Sequence, residues 1–429
     1  MSTRVGGLAP AVSNAQSEEA AAIRRGLFLT ARMLLHRVRT DSLMKYDRRR
    51  FIRDAGLAGM AAATAGAVAT TAMAGETTHS DPTVKKVNGP FGEGLPITVA
   101  GYDYNRVAAV ANGEALIEGC EVTYEVTGIG PMNIHALGGP KTRHVTEIGL
   151  IPYLLAWAND GIRDYALLPI PALRAFRHKS MWVRSDSGIE NPQALKGKKI
   201  GIVGYSSSSL TWIRGVLKDE YGLSPEDFHW IVSSKESSIG LTGGASSWEV
   251  VKPPEGVQIS DAPAGMDESD LLLAGEVDAV FHAAEPKAFM ERNPAIRRLF
   301  VDHRSVEQNY LERTGIFPIM HSIAVRRDVM EANPWLPQAV FAAFSKAKAM
   351  DMKYMQLLGW AYDTLPWYGQ EFDETVAVMG RNFYPYGYEV SAKTYDTAFR
   401  YLHEQGLTKY RVTLDEIFDP AVRGFAEPA

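Results

Sequence analysis

Short apolar runs alternate with helically spaced apolar positions along most of the chain from residue 97 onward. The runs are typical of buried strands and occur at 97–100, 122–126, 145–150, 165–169, 180–183, 199–203 and 279–281. Helical spacing occurs at 105–115, 153–157, 210–221, 337–358 and 391–406. Strands that alternate with helices predict an α/β fold with mostly parallel sheets.

A basic hexapeptide precedes an uncharged stretch near the start of the chain. Residues 48–53 read Arg-Arg-Arg-Phe-Ile-Arg, and residues 55–74 are rich in Ala, Gly and Thr. A twin arginine before a weakly apolar segment is typical of twin-arginine export, and Ala72-Met73-Ala74 fits a cleavage site. We therefore predict a leader at 1–74, cleavage near Ala74 and a periplasmic protein. The alternative is an Ala-rich linker after a basic helix.

The first 43 residues are unusual for such a leader. The segment from Ala20 to Arg39 has the pattern of a basic amphipathic helix, whereas export leaders begin close to their arginines. We favour Met44 as the true initiator and the twin-arginine machinery as an export partner. The alternative is a helix that lies on a membrane surface.

The charge that remains without the leader is acidic. Removing residues 1–74 takes away 11 of the 45 basic and 5 of the 50 acidic residues and leaves a net charge of −11. This argues against nucleic acid and anionic membranes as partners.

The one cysteine, Cys120, lies in an alternating apolar run and is interpreted as a small buried hydrophobe. Zinc-ligand spacings, phosphate loops and Gly-x-Ser-x-Gly are not found in the sequence, and no cofactor is predicted.

Several segments resemble a known family. The stretch at 187–201 is similar to the segment that leads into the second lobe of periplasmic solute-binding proteins. The chain also resembles the 4,5-dihydroxyphthalate decarboxylase family, which shares that fold. The matching segments are 176–178, 212–215, 220–222, 275–279, 313–321 and 403–407. The Thr-Gly-Ile-Phe-Pro-Ile-Met-His run at 314–321 is the most specific of these.

The resemblance implies a type II periplasmic-binding-protein fold with a ligand cleft between two lobes. The implied division is a first lobe at 96–185 and 303–429 and a second lobe at 186–302. The stretch at 75–95, which is rich in Thr, Pro, Gly and Lys, is interpreted as a flexible linker before them. The resemblance also implies a small aromatic carboxylate as the ligand.

Polar residues at strand ends are the candidate ligand contacts in such a fold. Ser206, Ser207 and Ser208 precede a helix and could cradle an anion, although a helix cap needs only one serine. Arg174, Arg177 and His178 surround Phe176 and could pair with a carboxylate, or could be solvated surface groups.

Two histidines are the candidate proton donors. His282 follows a predicted strand, with Glu285 three residues later as a substrate contact, and His321 ends the family-like run. A strand-end histidine can equally be a satisfied structural residue. His178, His282 and His321 with Glu285 could also ligate a metal, but no spacing signature supports this. Tyr102 ends the first strand and could stack on a ring ligand.

We predict an exported binding protein and keep a non-oxidative decarboxylase as the alternative. An exported binding protein would close on a small carboxylate and present it to a membrane permease. A non-oxidative decarboxylase would convert 4,5-dihydroxyphthalate or a related dihydroxyaromatic acid, with His282 or His321 as proton donor and Arg174 or Arg177 orienting the carboxylates. The leader favours the first function, and the extent of the resemblance favours the second.

Overall fold

The computed structural model describes residues 86–244, 254–357 and 364–428. The predicted leader at 1–74, the amphipathic helix at 20–39 and the alternative start at Met44 lie outside the described residues.

The strands alternate with helices over most of the described chain, as the sequence predicted. The strands are β1 Lys86–Phe91, β2 Leu95–Gly101, β3 Cys120–Val126, β4 Val145–Gly149, β5 Tyr165–Leu167, β6 Leu173–Arg174, β7 Met181–Arg184, β8 Lys199–Ile202, β9 His229–Val232, β10 Gln258–Asp261, β11 Ala279–Phe281, β12 Ile296–Arg298 and β13 Ile319–Arg326. The α-helices are α1 Asn105–Ala111, α2 Ile129–Leu137, α3 Leu150–Leu155, α4 Ser208–Tyr221, α5 Ile239–Thr242, α6 Glu268–Ala274, α7 Lys287–Met290, α8 His303–Thr314, α9 Arg327–Ala332, α10 Leu336–Leu357, α11 Tyr368–Met379, α12 Tyr388–Glu404 and α13 Leu414–Ile417.

The strands form two separate sheets. The first has the order β1-β3-β2-β4-β13-β5, with β6 also paired to β13, and the second has the order β10-β9-β8-β11-β7-β12. Parallel pairing joins β2 to β3 and β4, and joins β8 to β9 and β11. The strands that border the crossings, β13 and β7, pair antiparallel with their neighbours because the chain enters them from the other sheet. This architecture confirms the two-lobed α/β fold.

The second sheet begins before the predicted boundary at residue 186. Strand β7 pairs with β11 and β12, so its residues belong to the second sheet although the sequence interpretation assigned them to the first lobe. The chain returns to the first sheet at β13 after helix α8.

Part of the predicted linker at 75–95 is a strand. Strand β1 pairs antiparallel with β3 and has a register shift between Asn88 and Phe91. Its Pro90 is tolerated because β1 lies at the edge of the sheet, where a missing N–H group breaks no ladder. Glycine is required at position 89, where φ is +107° and a Cβ atom would lie 2.4 Å from the Val122 carbonyl oxygen.

Helix α4 is held firmly against the rest of the protein. The indole Nε1 of Trp212 donates a hydrogen bond to the Ile319 carbonyl at 2.9 Å. Gly215 allows close contact with α12, because a Cβ atom there would lie 2.1 Å from the Tyr401 ring. The start of α4 is thereby fixed beside β13.

None of the helices in the described ranges combines the length and apolar composition needed to cross a membrane.

Candidate functional site

A pocket of about 240 Å³ lies between the two sheets and is called the central pocket here. The first sheet and its helices contribute one wall, and the start of α4, helix α5 and the chain that follows β11 contribute the other. Its lining residues are Tyr102, Tyr104, Ile129, Asn133, Gly149, Pro152, Leu173, Arg177, Ser207, Ser208, Ser209, Leu241, Thr242, Ala283, Ala284, Met320 and His321.

His321 and Glu147 form a buried dyad on the first wall. In the antiparallel pair of β13 and β4, His321 lies opposite Gly149 and Ile323 lies opposite Glu147. Because alternate residues of a strand share one face, His321 and Glu147 are diagonal neighbours on that face. The Nδ1 atom of His321 lies 2.6 Å from Oε1 of Glu147. Because a carboxylate oxygen accepts hydrogen bonds, Nδ1 carries the proton in this contact. The other ring nitrogen, Nε2, forms no hydrogen bond within the described residues.

Glu147 is satisfied by further donors. It is only 1% exposed. The Tyr104 hydroxyl donates to Oε1 at 2.8 Å, and the backbone N–H of Tyr102 donates to Oε2 at 3.3 Å. Burial, and next the Glu147 charge, raise the pKa of the Tyr104 hydroxyl well above its usual value, so this group remains a donor. The carboxylate is therefore fixed in position behind the His321 ring.

Tyr102 connects the dyad to the opposite lobe. Its ring stacks on Tyr104 at 4.9 Å between centroids and is nearly parallel to the His321 ring at 6.1 Å. Its hydroxyl accepts a hydrogen bond from the Ile129 N–H at 3.0 Å and donates one to the Thr242 carbonyl at 3.3 Å. Tyr102 therefore forms an aromatic surface of the pocket and holds α5 close to it.

The second wall begins at the amino-terminal end of α4. Ser207 caps the helix, since its side chain accepts a hydrogen bond from the Leu210 N–H at 3.2 Å. The Oγ atom of Ser208 accepts one from the Ile151 N–H at 3.2 Å. Both hydroxyl oxygens act as acceptors in these bonds, so their protons can point to a ligand.

Arg177 brings a positive charge to the same place. Its guanidinium contacts Met320 Sδ at 3.2 Å and the Ala283 carbonyl at 2.8 Å. Ser209 also contacts Met320 Sδ, at 3.7 Å, which places Arg177 near the start of α4. Burial lowers the pKa of this guanidinium to about 10, although the Glu307 charge opposes the shift. Within the described residues, no carboxylate forms an ion pair with Arg177.

His282 lies behind the wall and does not line the pocket, which corrects the location expected from the sequence. Its Nε2 atom lies 3.3 Å from Oε1 of Glu236, and its Nδ1 atom lies 2.9 Å from the Ala284 carbonyl oxygen. Burial disfavours the charged ring, but the Glu236 hydrogen bond and the Glu268 charge outweigh it and raise the pKa of His282. Both nitrogens are therefore occupied, Nε2 by a residue that precedes α5 and Nδ1 by the chain that follows β11.

Arg174 and His178 are also directed away from the central pocket. Arg174 donates to the Phe317 and Pro385 carbonyls and to Ser391 Oγ, and it lines a separate groove beside α8. His178 is packed edge-on against Phe300 and Tyr310. Burial and the nearby Arg313 charge lower the pKa of His178 to about 4, so its ring is neutral. These side chains hold structure together and do not contact the pocket.

The two remaining predicted contacts lie elsewhere. Ser206 is buried but does not line the pocket, and Glu285 forms an ion pair with Arg298. The three histidines and Glu285 do not converge. Across the described ranges, no group of three or more His, Cys, Asp or Glu residues could hold a metal ion.

The sequence interpretation missed Glu147, Asn133 and Met320 as site residues. The signal for Glu147 was a charged residue within the apolar strand at 145–150, since a buried carboxylate needs partners. Asn133 lies within the apolar helix α2 and accepts a hydrogen bond from the Gly149 N–H at 2.9 Å through Oδ1, which leaves its NH₂ group for the pocket. Met320 lies within the family-like run at 314–321, but a methionine there was not distinguished from a core residue.

Comparison with known proteins identifies relatives over most of the chain. The profile of the NMT1/THI5 like family matches residues 163–350. A protein described as 4,5-dihydroxyphthalate decarboxylase from Comamonas testosteroni is 31% identical over 327 residues, which are 76% of this chain and 97% of that protein. A second protein of this description, from Pseudomonas putida, is 29% identical over 50% of this chain and 81% of its own length.

Solved structures of similar shape include binding proteins. The periplasmic aliphatic sulphonate binding protein SsuA from Escherichia coli is 18% identical, with a TM-score of 0.45 over 76% of this chain and 97% of that chain. A putative sulfonate-binding protein from Methylobacillus flagellatus is 15% identical, with a TM-score of 0.48 over 77% of this chain and 93% of that chain.

Proposed function

The chain belongs to the 4,5-dihydroxyphthalate decarboxylase family, and from this premise we propose that it binds a small aromatic carboxylate in the central pocket and releases the carboxylate as carbon dioxide. The observation that carries the proposal is the His321–Glu147 dyad, with one imidazole nitrogen free of protein hydrogen bonds beside an aromatic surface. Simple binding has no need of an acid–base pair.

Arg177 and the start of α4 would hold the carboxylate. A buried guanidinium without a protein carboxylate is costly unless an anion accompanies it. The serine hydroxyls and the partial positive charge of the helix start favour the same group. Ser207 and Ser208 therefore complement Arg177.

The ring of the ligand would lie against Tyr102 and Leu173. An apolar cavity of roughly 150 Å³ accommodates benzene, so the 240 Å³ of the central pocket leaves room for a ring with a few substituents. Asn133 offers its NH₂ group as a neutral donor for a ring hydroxyl.

His321 would supply the proton. Protonation at the ring carbon that bears the carboxylate forms a C–H bond. The bond from that carbon to the carboxylate then breaks, its electron pair returns to the ring, and carbon dioxide leaves. Ring hydroxyls stabilise the protonated ring, and Glu147 stabilises the imidazolium from which the proton comes. The net change consumes one proton, which solvent returns to His321. Such acid catalysis contributes typically 10²–10⁴-fold.

A direct assay tests this function. Purified protein is incubated with benzoates and phthalates that carry two adjacent hydroxyls, and carbon dioxide and ring product are both measured. We expect release of carbon dioxide with one equivalent of decarboxylated ring product. Tight binding without any carbon dioxide would contradict the decarboxylase and support the second candidate.

The second candidate is an exported binding protein that delivers its ligand to a membrane permease. The twin arginine at Arg48 and Arg49, with the weakly apolar stretch behind it, favours this function and a periplasmic location.

Replacing both arginines by lysine should leave the precursor in the cytoplasm. Normal export of that double variant would contradict the leader assignment, and loss of export when synthesis begins at Met44 would show that residues 1–43 are needed.

A further inference from the structure

Arg106 lies next to the central pocket without lining it. It belongs to the first turn of α1 and closely follows Tyr104, which is a lining residue. The central carbon of its guanidinium lies 4.2 Å from the centroid of the Tyr104 ring and 4.5 Å from that of the Tyr384 ring. Its Nε atom donates a hydrogen bond to the Ala172 carbonyl at 2.7 Å. Three separate segments of the chain therefore meet at this side chain.

Hydrogen bonds and ion pairs do not explain the position of Arg106. Its Nη2 atom is buried and has no hydrogen-bond partner in the described part of the chain, where Arg106 also forms no ion pair. Burial raises the pKa of the Asp351 carboxyl although the nearby Arg106 charge opposes the shift. A buried N–H group without an acceptor costs stability. The contacts with the two rings are therefore the main interactions of this cation.

The Tyr104 hydroxyl and the His321 ring bind the same carboxylate oxygen. The hydroxyl donates to Oε1 of Glu147 at 2.8 Å, and Nδ1 of His321 lies 2.6 Å from that atom. A displaced Tyr104 ring would release one side of the carboxylate, which holds the imidazole on the other side. The orientation of the His321 ring therefore depends on the position of Tyr104.

The charge of Arg106 also reaches the Tyr104 hydroxyl. Burial, and next the Glu147 charge, raise the pKa of this hydroxyl well above its usual value, whereas the Arg106 charge opposes the shift. A cation over the face of an aromatic ring is attracted by the electrons of the ring. Arg106 therefore holds the Tyr104 ring in place and favours donation of its hydroxyl proton to Glu147.

We propose that Arg106 is a positioning residue for the proposed decarboxylation. Its guanidinium fixes the ring of Tyr104, whose hydroxyl orients Glu147, and this carboxylate in turn orients the imidazole of His321. The inference rests on the proposed function and adds a residue to it. Because Arg106 does not line the central pocket, its loss should slow the proton transfer and leave ligand binding unchanged.

Substitution of Arg106 in the full chain tests the proposal with 4,5-dihydroxyphthalate as substrate. We expect Arg106→Met to lower kcat about fivefold, the size of one cation–ring contact, and to leave KM unchanged. Arg106→Gln, which keeps a donor for the Ala172 carbonyl, should behave in the same way. Arg106→Lys should recover part of the loss, because it returns a positive charge to the ring. A lysine variant as slow as the methionine variant would contradict a role of the cation.

Arg163 provides a matched control. Its guanidinium lies 3.6 Å from the centroid of the Trp157 ring and donates a hydrogen bond to the Trp157 carbonyl at 2.7 Å, but neither residue lines the central pocket. Arg163→Met removes a cation–ring contact of the same kind, so kcat and KM should both stay unchanged. An equal fall of kcat in Arg163→Met and Arg106→Met would show a general loss of stability and would overturn the proposal.

A double variant shows whether Arg106 acts through Tyr104. If it does, Arg106→Met should lower kcat no further once Tyr104→Phe has removed the hydroxyl. Losses that multiply in the double variant would overturn the proposal, because Arg106 would then act by another route. So would an unchanged kcat in Arg106→Met while the unsubstituted chain releases carbon dioxide, and the proposed function would stand. If the unsubstituted chain releases no carbon dioxide, the proposed function is refuted and the inference falls with it.

Discussion

His321 and His282 occupy equivalent environments in the two lobes, yet they differ in what they can do. Both are buried, His321 near the start of β13 and His282 directly after β11, and both contact a glutamate. His282 uses both ring nitrogens within the protein, whereas His321 uses Nδ1 and keeps Nε2 free of hydrogen bonds to described residues. A histidine at a strand end acts on a ligand only when one nitrogen is left open to the pocket.

The largest expected effect comes from replacing His321, the histidine whose Nε2 atom makes no hydrogen bond to the described residues. If the proposed function is correct, His321→Gln should lower decarboxylation roughly 10²–10⁴-fold and leave ligand affinity nearly unchanged, because it removes the proposed proton donor and largely preserves the side-chain volume. Turnover and dissociation constants are measured in parallel, with His282→Gln as the control. Turnover that falls more in the His282 variant than in the His321 variant would reverse the comparison.

Arg177 and Arg174 offer a second comparison, between an arginine that lines the central pocket and one that does not. Arg177→Met should weaken carboxylate binding by about 1.5–3 kcal/mol, the usual contribution of a hydrogen bond to a charged group. Arg174→Met should lower the melting temperature and leave affinity unchanged, since its guanidinium bonds Phe317, Pro385 and Ser391. Calorimetry and thermal unfolding distinguish them. Equal losses of affinity would show that both arginines reach the ligand.

The pH dependence of stability should identify His282 as the structural histidine. Its pKa is raised in the folded protein, so the stabilisation from protonation is full below the unfolded pKa of about 6.5. This contribution is lost as the pH rises through the folded pKa. His282→Asn should therefore destabilise the protein most near pH 5.5 and progressively less toward pH 9. A difference in melting temperature that grows with pH would contradict the assigned charge.

Most of the elements could be predicted from the sequence because strand and helix periodicities are local properties, whereas the two-lobed fold was predicted from the family resemblance. Strand β11 was predicted with its observed ends, and α10 was predicted within one residue at each end. Strand β1 was missed because its Asn-Gly-Pro run looks like a linker, and only pairing with β3 makes it a strand.

The site could be predicted only in part, because it depends on where side chains point. Ser207, Ser208, Arg177, Tyr102 and His321 line one pocket, whereas Arg174, His178, Ser206, His282 and Glu285 do not. Arg174 is the last residue of β6 and Arg177 lies in the connection to β7, and their guanidinium groups line different cavities. Glu147 becomes a partner of His321 only through the long-range register of β4 with β13.

The smallest expected effect would show whether the hydrogen bonds to Glu147 contribute to catalysis or only stabilise the fold. Tyr104→Phe removes the hydroxyl that donates to Glu147, and Tyr153→Phe removes one that donates to the Tyr165 carbonyl at 3.1 Å. Each variant should lose about 0.5–1.5 kcal/mol of stability, the usual net value of a hydrogen bond. We expect only Tyr104→Phe to lower turnover as well, by a few-fold, because Glu147 then holds the His321 ring less firmly. The pH profile of turnover should change in this variant alone because, of the two hydroxyls, the Tyr104 hydroxyl alone donates a hydrogen bond to Glu147. Identical turnover and pH profiles in the two variants would mean that Glu147 only supports the strand pair.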